Sequence, residues 1–165
     1  MEKQCVCISG STQGIGFGIA EAFAAKGARI VINSHLDGAE AQKKLSQITE
    51  CHFVQADLST VEGAQNFIKE SYEHLGHLDT LINNAGTFLD TNFKDINEEA
   101  FNQTFNLNVK GYMFASQAFV KKIPTQQKNA SIICIGSSNS KAAEKNSVMY
   151  DTSKGAVLMM IRSMA

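Results

Sequence analysis

Tyr150 and Lys154 stand four residues apart in YDTSKGAVLMM, a stretch that reads as helix. That spacing puts both side chains on one helical face. A phenol has an ordinary pKa of about 10, and an ammonium group beside it favours the phenolate, so the pair is a candidate acid–base couple. By itself the pattern is weak, because exposed helical pairs of this kind are common. A second signal lies in SGSTQGIG, where Gly10, Gly14 and Gly16 open a segment carrying apolar Ile15, Ile19 and Phe23. Glycines permit a tight turn and close backbone approach, and a helix N-terminus offers unpaired N–H groups and a favourable dipole to a phosphate. Lying between a predicted strand and a predicted helix, this turn has the context of a dinucleotide site.

The frame that would position both signals reads as alternating short apolar runs and longer amphipathic segments. Five runs read as strands: 4–9, 28–33, 51–56, 79–83 and 131–136. Their short length and β-branched content favour buried strands. Ser59 with Glu62 forms a capping-box pattern for the third helix, Asp37 and Asn97 are candidate caps for the second and fourth, and Pro124 stops the fourth. On that long helix Phe101, Phe105, Val109 and Met113 recur every fourth residue, extended by Tyr112, Ser116 and Phe119. One face is therefore expected to be buried, in the core or against a second subunit. Right-handed crossovers give a doubly wound α/β fold of Rossmann type, a parallel sheet in the order 3-2-1-4-5. Ligands of such sheets bind where the carboxyl ends of strands one and four diverge.

These motifs fall in the order found in the short-chain dehydrogenases/reductases, and the Gly-x-x-x-Gly-x-Gly spacing resembles the classical members of that family. The resemblance implies that Gly10, Ser11, Gln13, Gly14, Ile15 and Gly16 cradle a nicotinamide dinucleotide, that Asp57-Leu58 meets the adenine, and that Asn84, Ala85 and Gly86 lie against a ribose. It implies a catalytic set of Asn108, Ser137, Tyr150 and Lys154. Ser137 would hold the substrate oxygen, Tyr150 would donate the proton, and Lys154 would also bind the nicotinamide ribose. Asn108 would keep a bend in the fourth helix and a water linked to Lys154. The implied reaction is hydride transfer between the cofactor and a small-molecule carbonyl or alcohol. Simpler readings stand beside these: Asp57 as a turn residue, NNAG as an ordinary strand end, and Ser137 with Ser138 as a helix cap.

An acidic residue about 20 to 25 positions beyond the first glycine would hold the ribose hydroxyls of NAD. Asn33, Ser34 and His35 occupy that region, so NADP(H) is expected over NAD(H), with Ser34 and His35 in the ribose pocket. A net charge of −1 over 165 residues leaves no basic surplus for nucleic acid. No leader pattern and no long apolar run is seen, so a cytoplasmic protein without membrane association is expected. The four cysteines fit reduced, buried thiols, and His74 and His77 lack a second ligand cluster, so no metal is expected. The chain reads as one dinucleotide-binding domain over 1–165 that lacks the family's last two strands and substrate lid, as the N-terminal part of a longer product would. A homo-oligomer through the fourth helix and the Tyr150 helix is expected. The alternatives are a module that senses the cofactor without turnover and an inactive fragment.

Overall fold

The first strand, β1 (Cys5–Ile8), is buried at every position, and its side chains alternate between two hydrophobic clusters. The computed structural model describes residues 3–125, 127 and 129–165. Around β1 lie β2 (Arg29–Ser34), β3 (Cys51–Gln55), β4 (Thr80–Asn83) and β5 (Ser131–Cys134), parallel throughout in the order β3-β2-β1-β4-β5. Val6 sits opposite Ile30 on one side and Thr80 on the other. The expected order is thus the observed one.

Cys5 and Cys7 point into a cluster with Val31, Val54, Phe67, Ile68, Leu81 and Phe119, covered by α3 (Val61–Leu75) and α5 (Tyr112–Lys122). Val6 and Ile8 point the other way, among Ile30, Ile32, Ala20 and Ala24, under α1 (Gly14–Ala25) and α2 (Ala39–Leu45). Burial pushes the Cys7 thiol up and the Cys51 thiol up to about 12, so both behave as small hydrophobes. Cys134, by contrast, is only half-buried.

Two helix starts differ from the sequence expectation. Thr60, not Ser59, caps α3: its extended backbone precedes the first turn and its Oγ1 accepts the Gly63 N–H at 3.0 Å. Glu62 then falls one position too early to reach back, and the Ser59 N–H is taken by Asp57 Oδ1 at 2.9 Å. At α2 the cap position is Gly38, although Asp37 Oδ1 accepts the Ala39 N–H. Asn97 does cap α4 (Glu98–Phe105), accepting from the Ala100 N–H at 2.8 Å.

The long fourth helix is in fact α4, a π-helical turn over Asn106–Gly111, and α5. Only the extension of its stripe, Tyr112, Ser116 and Phe119, is fully buried; the row of every fourth residue before it is not. Phe101 is 44% and Met113 43% exposed, while Phe105 and Val109 are half-buried. The inner row is Thr104, Asn108, Tyr112 and Ser116, all buried. Polarity misled the periodicity because inner polar groups here find partners, the Tyr112 hydroxyl excepted: Thr104 donates to Ala100 O, and Ser116 Oγ accepts from Asn83 Nδ2. The last helix, α6 (Val148–Met164), packs Val157 and Met160 on Tyr112, with Cys134 and Ile161 alongside. Met159 on the same helix is 57% exposed. No helix of the described residues is long and apolar enough to cross a membrane.

Candidate active site

The turn after β1 is held by side chains on both sides of it. Gly10 and Gly14 have φ of +58° and +57°, which glycine adopts without strain. A Cβ on Gly10 would lie 2.7 Å from Ala85 Cα, and one on Gly16 would run into Gly10 O, whereas one on Gly14 would meet open space. Ser9 Oγ accepts the N–H groups of Asn84 and Ala85 at 2.9 and 3.0 Å. Asn84 Nδ2 donates back to Ser9 O and Gly10 O at 3.0 and 2.8 Å. The strand ends β1 and β4 are therefore stapled together through the glycine turn.

Beyond this staple opens a cleft of about 630 Å³. Gln13, Ile15 and Gly16 line it at the start of α1, Ser34 and His35 after β2, Asp57 and Leu58 after β3, and Asn84, Ala85 and Gly86 after β4. Thr87 closes one end. Ser11 is not among the lining residues. It is fully buried, donating to Ile8 O at 2.6 Å and accepting the Asn33 N–H at 3.0 Å, so it shapes the turn from behind. Asn33 borders the cleft but is only 1% exposed, its side chain taken up by the backbone: Nδ2 donates to Val54 O and Ala56 O, and Oδ1 accepts the Gly10 N–H. The residues fit a dinucleotide. The start of α1 has no side-chain cap on its first N–H groups, Gly14 leaves space, and the cleft is lined by both His35 and Thr87.

The candidate catalytic residues gather past the Thr87 end. Asn108 lies in the π turn, with Oδ1 accepting the Thr87 N–H at 2.8 Å and Nδ2 donating to Thr87 O and to Ser153 Oγ at 2.9 and 3.1 Å. The cleft wall is thereby tied to α6. The next residue, Phe88, meets the Tyr150 ring edge-on, centroids 5.2 Å apart. Lys154 is 4% exposed, its Nζ donating to Ile135 O at 2.8 Å and lying 5.7 Å from the Tyr150 ring centroid. Burial pulls the Lys154 pKa down, with the nearby Cys134 thiol opposing. Ser137 lies beyond β5, whose last residue is Cys134, and it starts a short turn over Ser138–Ser140. Its Oγ accepts the Asn139 N–H at 3.1 Å and approaches Asn139 Oδ1 at 3.3 Å, so the capping role is the one the hydrogen bonds express.

Several residues of this region carried little sequence signal. Ser9 could have been found as a polar residue closing an apolar run. Phe88 and Ser153 could not, since each acquires its place only when distant segments meet, and for Tyr112 the sequence pointed to burial but not to Lys154. At the other ends of the strands, Cys5, His77 and Asp79 bring one donor atom each within 4.8 Å. The Arg29 guanidinium sits 3.6 Å from Cys5 Sγ there, and Asp79 Oδ2 already accepts the Cys5 N–H. His74 instead stacks on His52.

The sheet order, the glycine turn and the cleft at the diverging strand ends define a dinucleotide-binding doubly wound fold. The chain belongs to the short chain dehydrogenase family, whose pattern matches residues 4–165. It is 31% identical to the NADP-dependent (R)-specific alcohol dehydrogenase of Lentilactobacillus kefiri, aligned over all of this chain and 66% of that one. Among solved structures it resembles a putative short-chain alcohol dehydrogenase from Sinorhizobium meliloti 1021, at 26% identity and a TM-score of 0.93, covering 100% of this chain and 66% of the other. It also resembles a 3-oxoacyl-[acyl-carrier protein] reductase from Brucella melitensis in complex with NAD, at 25% identity and a TM-score of 0.93, over 99% and 67% of the two chains. The chain thus spans just under two thirds of the length of the curated relatives it matches, 64 to 66% for the first three.

Proposed function

We propose that this chain carries the cofactor cleft and the proton-transfer residues of a nicotinamide-dependent oxidoreductase acting on a small carbonyl or alcohol. The observation that carries the reading is the continuous tie from cleft to acid. Asn108 clamps Thr87 at the end of the cleft and Ser153 on α6, and Phe88 packs on Tyr150. A bound nicotinamide supplies or takes up the hydride. The chain's own residues do the rest. Tyr150 gives its proton to the oxygen of a carbonyl being reduced, and the Lys154 ammonium near its ring favours the phenolate left behind. Ser137 Oγ, on freeing itself from Asn139, hydrogen-bonds the same oxygen and fixes its position. Asp57, with one oxygen engaged by Ser59, presents the other to an adenine.

The cofactor assignment is NADP(H) over NAD(H). His35 and Ser34 line the cleft beyond β2, Asn33 is held inside, and no carboxylate lies at the end of that strand to repel a ribose phosphate. The L. kefiri relative is NADP-dependent by name, and the B. melitensis structure holds NAD, so the relatives leave both cofactors in the family. The exposed faces of α4 and of α6 at Met159 are assigned to contact with a second copy of the chain. The cytoplasm is the compartment assigned to it.

Tyr150→Phe tests the reading. The variant keeps the ring that packs on Phe88, so affinity for NADP(H), measured by fluorescence titration, is expected within about threefold of the parent. Turnover of a carbonyl panel, read from the absorbance of the reduced nicotinamide, is expected to fall by at least about a hundredfold. Retained turnover refutes the assignment of Tyr150, and cofactor binding without any turnover by the parent supports a cofactor sensor instead.

A further inference from the structure

Lys154 is an ammonium with almost no polar company. Of its three N–H donors one goes to Ile135 O, and the residue is 4% exposed. The titratable groups that face it are Tyr150 from its own helix, Cys134 from β5 and Tyr112 from α5. No carboxylate makes a salt bridge to it among the described residues. Burial pushes the Cys134 thiol up, which disfavours a thiolate as counter-charge on that side. What does cover the ammonium is aromatic. Its Nζ lies 5.4 Å from the Tyr112 centroid and 5.7 Å from that of Tyr150, both within the roughly 6 Å over which a ring face attracts a cation.

Tyr112 is an unusual residue for its place. It is the largest of the fully buried side chains, and its hydroxyl has no hydrogen-bond partner among the described residues. An unpaired buried hydroxyl is a cost, so a hydrogen bond from that oxygen does not explain the residue. The ring does two other things: it packs on Val157 and Met160 of α6, and it turns its π system toward Lys154.

We propose that Tyr112 is a positioning residue whose ring face keeps Lys154 charged beside Tyr150. The inference rests on the oxidoreductase reading for its purpose, since a charged Lys154 is what favours the phenolate. It does not rest on that reading for its test. Replacing the ring by an aliphatic group keeps an apolar side chain there but removes the attraction, so the ammonium gives up its proton at lower pH. The pH range over which Lys154 stays charged would then end lower.

The measurement is an NMR titration of the full chain with carbon-13 in the lysine side chains, the Lys154 signal being identified by its loss in Lys154→Arg. Tyr112→Phe is expected to leave the midpoint within about 0.3 pH unit and the protein at least as stable. Tyr112→Leu is expected to lower the midpoint by about half to one and a half pH units. Because Tyr112→Leu risks misfolding, phenylalanines with one, two and three ring fluorines are placed at the same position. They keep the shape and weaken the ring's negative face stepwise, and the midpoint is expected to fall with each fluorine. A flat fluorine series overturns the proposal, as does an equal shift for Tyr112→Phe and Tyr112→Leu. The titration needs no substrate, so absence of turnover sinks the oxidoreductase reading while leaving this one standing, and a flat series does the reverse.

Discussion

Replacing Asn33 by Ala should loosen the glycine turn and destabilise the fold around the cleft that Asn33 borders. The side chain is 1% exposed and makes three bonds, donating to Val54 O and Ala56 O at 3.1 Å each and accepting the Gly10 N–H at 3.2 Å. Truncation strands two carbonyls on the β3 side and one amide in the glycine turn. A stranded buried polar group costs about 1–3 kcal/mol, but the space left by the amide admits water to some of them, so a total of roughly 3 kcal/mol is expected. Against a domain stability of about 5–15 kcal/mol that is a large fraction. With a urea m-value of about 2 kcal/mol/M the unfolding midpoint should drop by roughly 1.5 M. Asn33→Asp should do at least as much harm at neutral pH, because a carboxylate retains the acceptor for Gly10 and turns negative oxygen toward the carbonyls. A midpoint for Asn33→Ala within about 0.3 M of the parent, at an unchanged slope, would refute the claim that this amide holds the turn to β3.

Thr60→Ala should destabilise the protein by about 1 kcal/mol and Ser59→Ala by a few tenths at most, because only Thr60 Oγ1 accepts a free N–H of α3; equal urea midpoints for the two variants would contradict the assignment of the cap. Glu50 supplies a pH prediction. The two hydrogen bonds from Arg29, at 2.7 Å each, hold its carboxyl down to about 2. A depressed folded value means that the stabilisation is complete above the unfolded value of about 4.3 and is lost as pH falls toward about 2. The side chains are 25% and 42% exposed, so solvent screening limits the effect to less than about 1 kcal/mol. Urea midpoints of the parent and Glu50→Gln should differ slightly at pH 7 and converge as pH approaches about 2; a gap independent of pH would refute the ion-pair account.

The sheet was readable because its signals are local. Short β-branched runs, glycine punctuation and intervening amphipathic segments gave five strands, and the handedness of crossovers left one order for them. The lining of the cleft was readable for a similar reason, since Gln13, His35, Asp57 and Ala85 each follow a strand end directly. Periodicity failed where polarity and burial part company. In the fourth helix the apolar row Phe101 to Met113 faces outward while Thr104, Asn108, Tyr112 and Ser116 face in, and only distant partners such as Thr87, Ser153 and Asn83 make that inner row affordable in energy. Ser11 shows the limit of motif reading from the other side. It lies inside the glycine pattern, yet its hydroxyl is consumed by Ile8 and Asn33 behind the turn.

Asparagine recurs at the joints of this site for a physical reason. Where strands end and loops begin, backbone carbonyls and N–H groups lose their ladder partners, and a buried orphan of either kind is costly. A carboxylate satisfies only the N–H groups, and a lysine only the carbonyls, but a carboxamide serves both at once without charge. Asn33 joins β2 to β3 and to the glycine turn, and Asn84 stitches β4 to Ser9 and Gly10. Asn108 holds both the N–H and the carbonyl of Thr87 from a π turn, whose widened backbone brings Gly111 against Leu58 O. Each cross-link ties a loop that lines the cleft to a neighbouring segment of the fold. The cleft therefore keeps its shape through neutral hydrogen bonds, and Lys154, the one buried charged residue among the described residues, stands where the proton transfer is assigned.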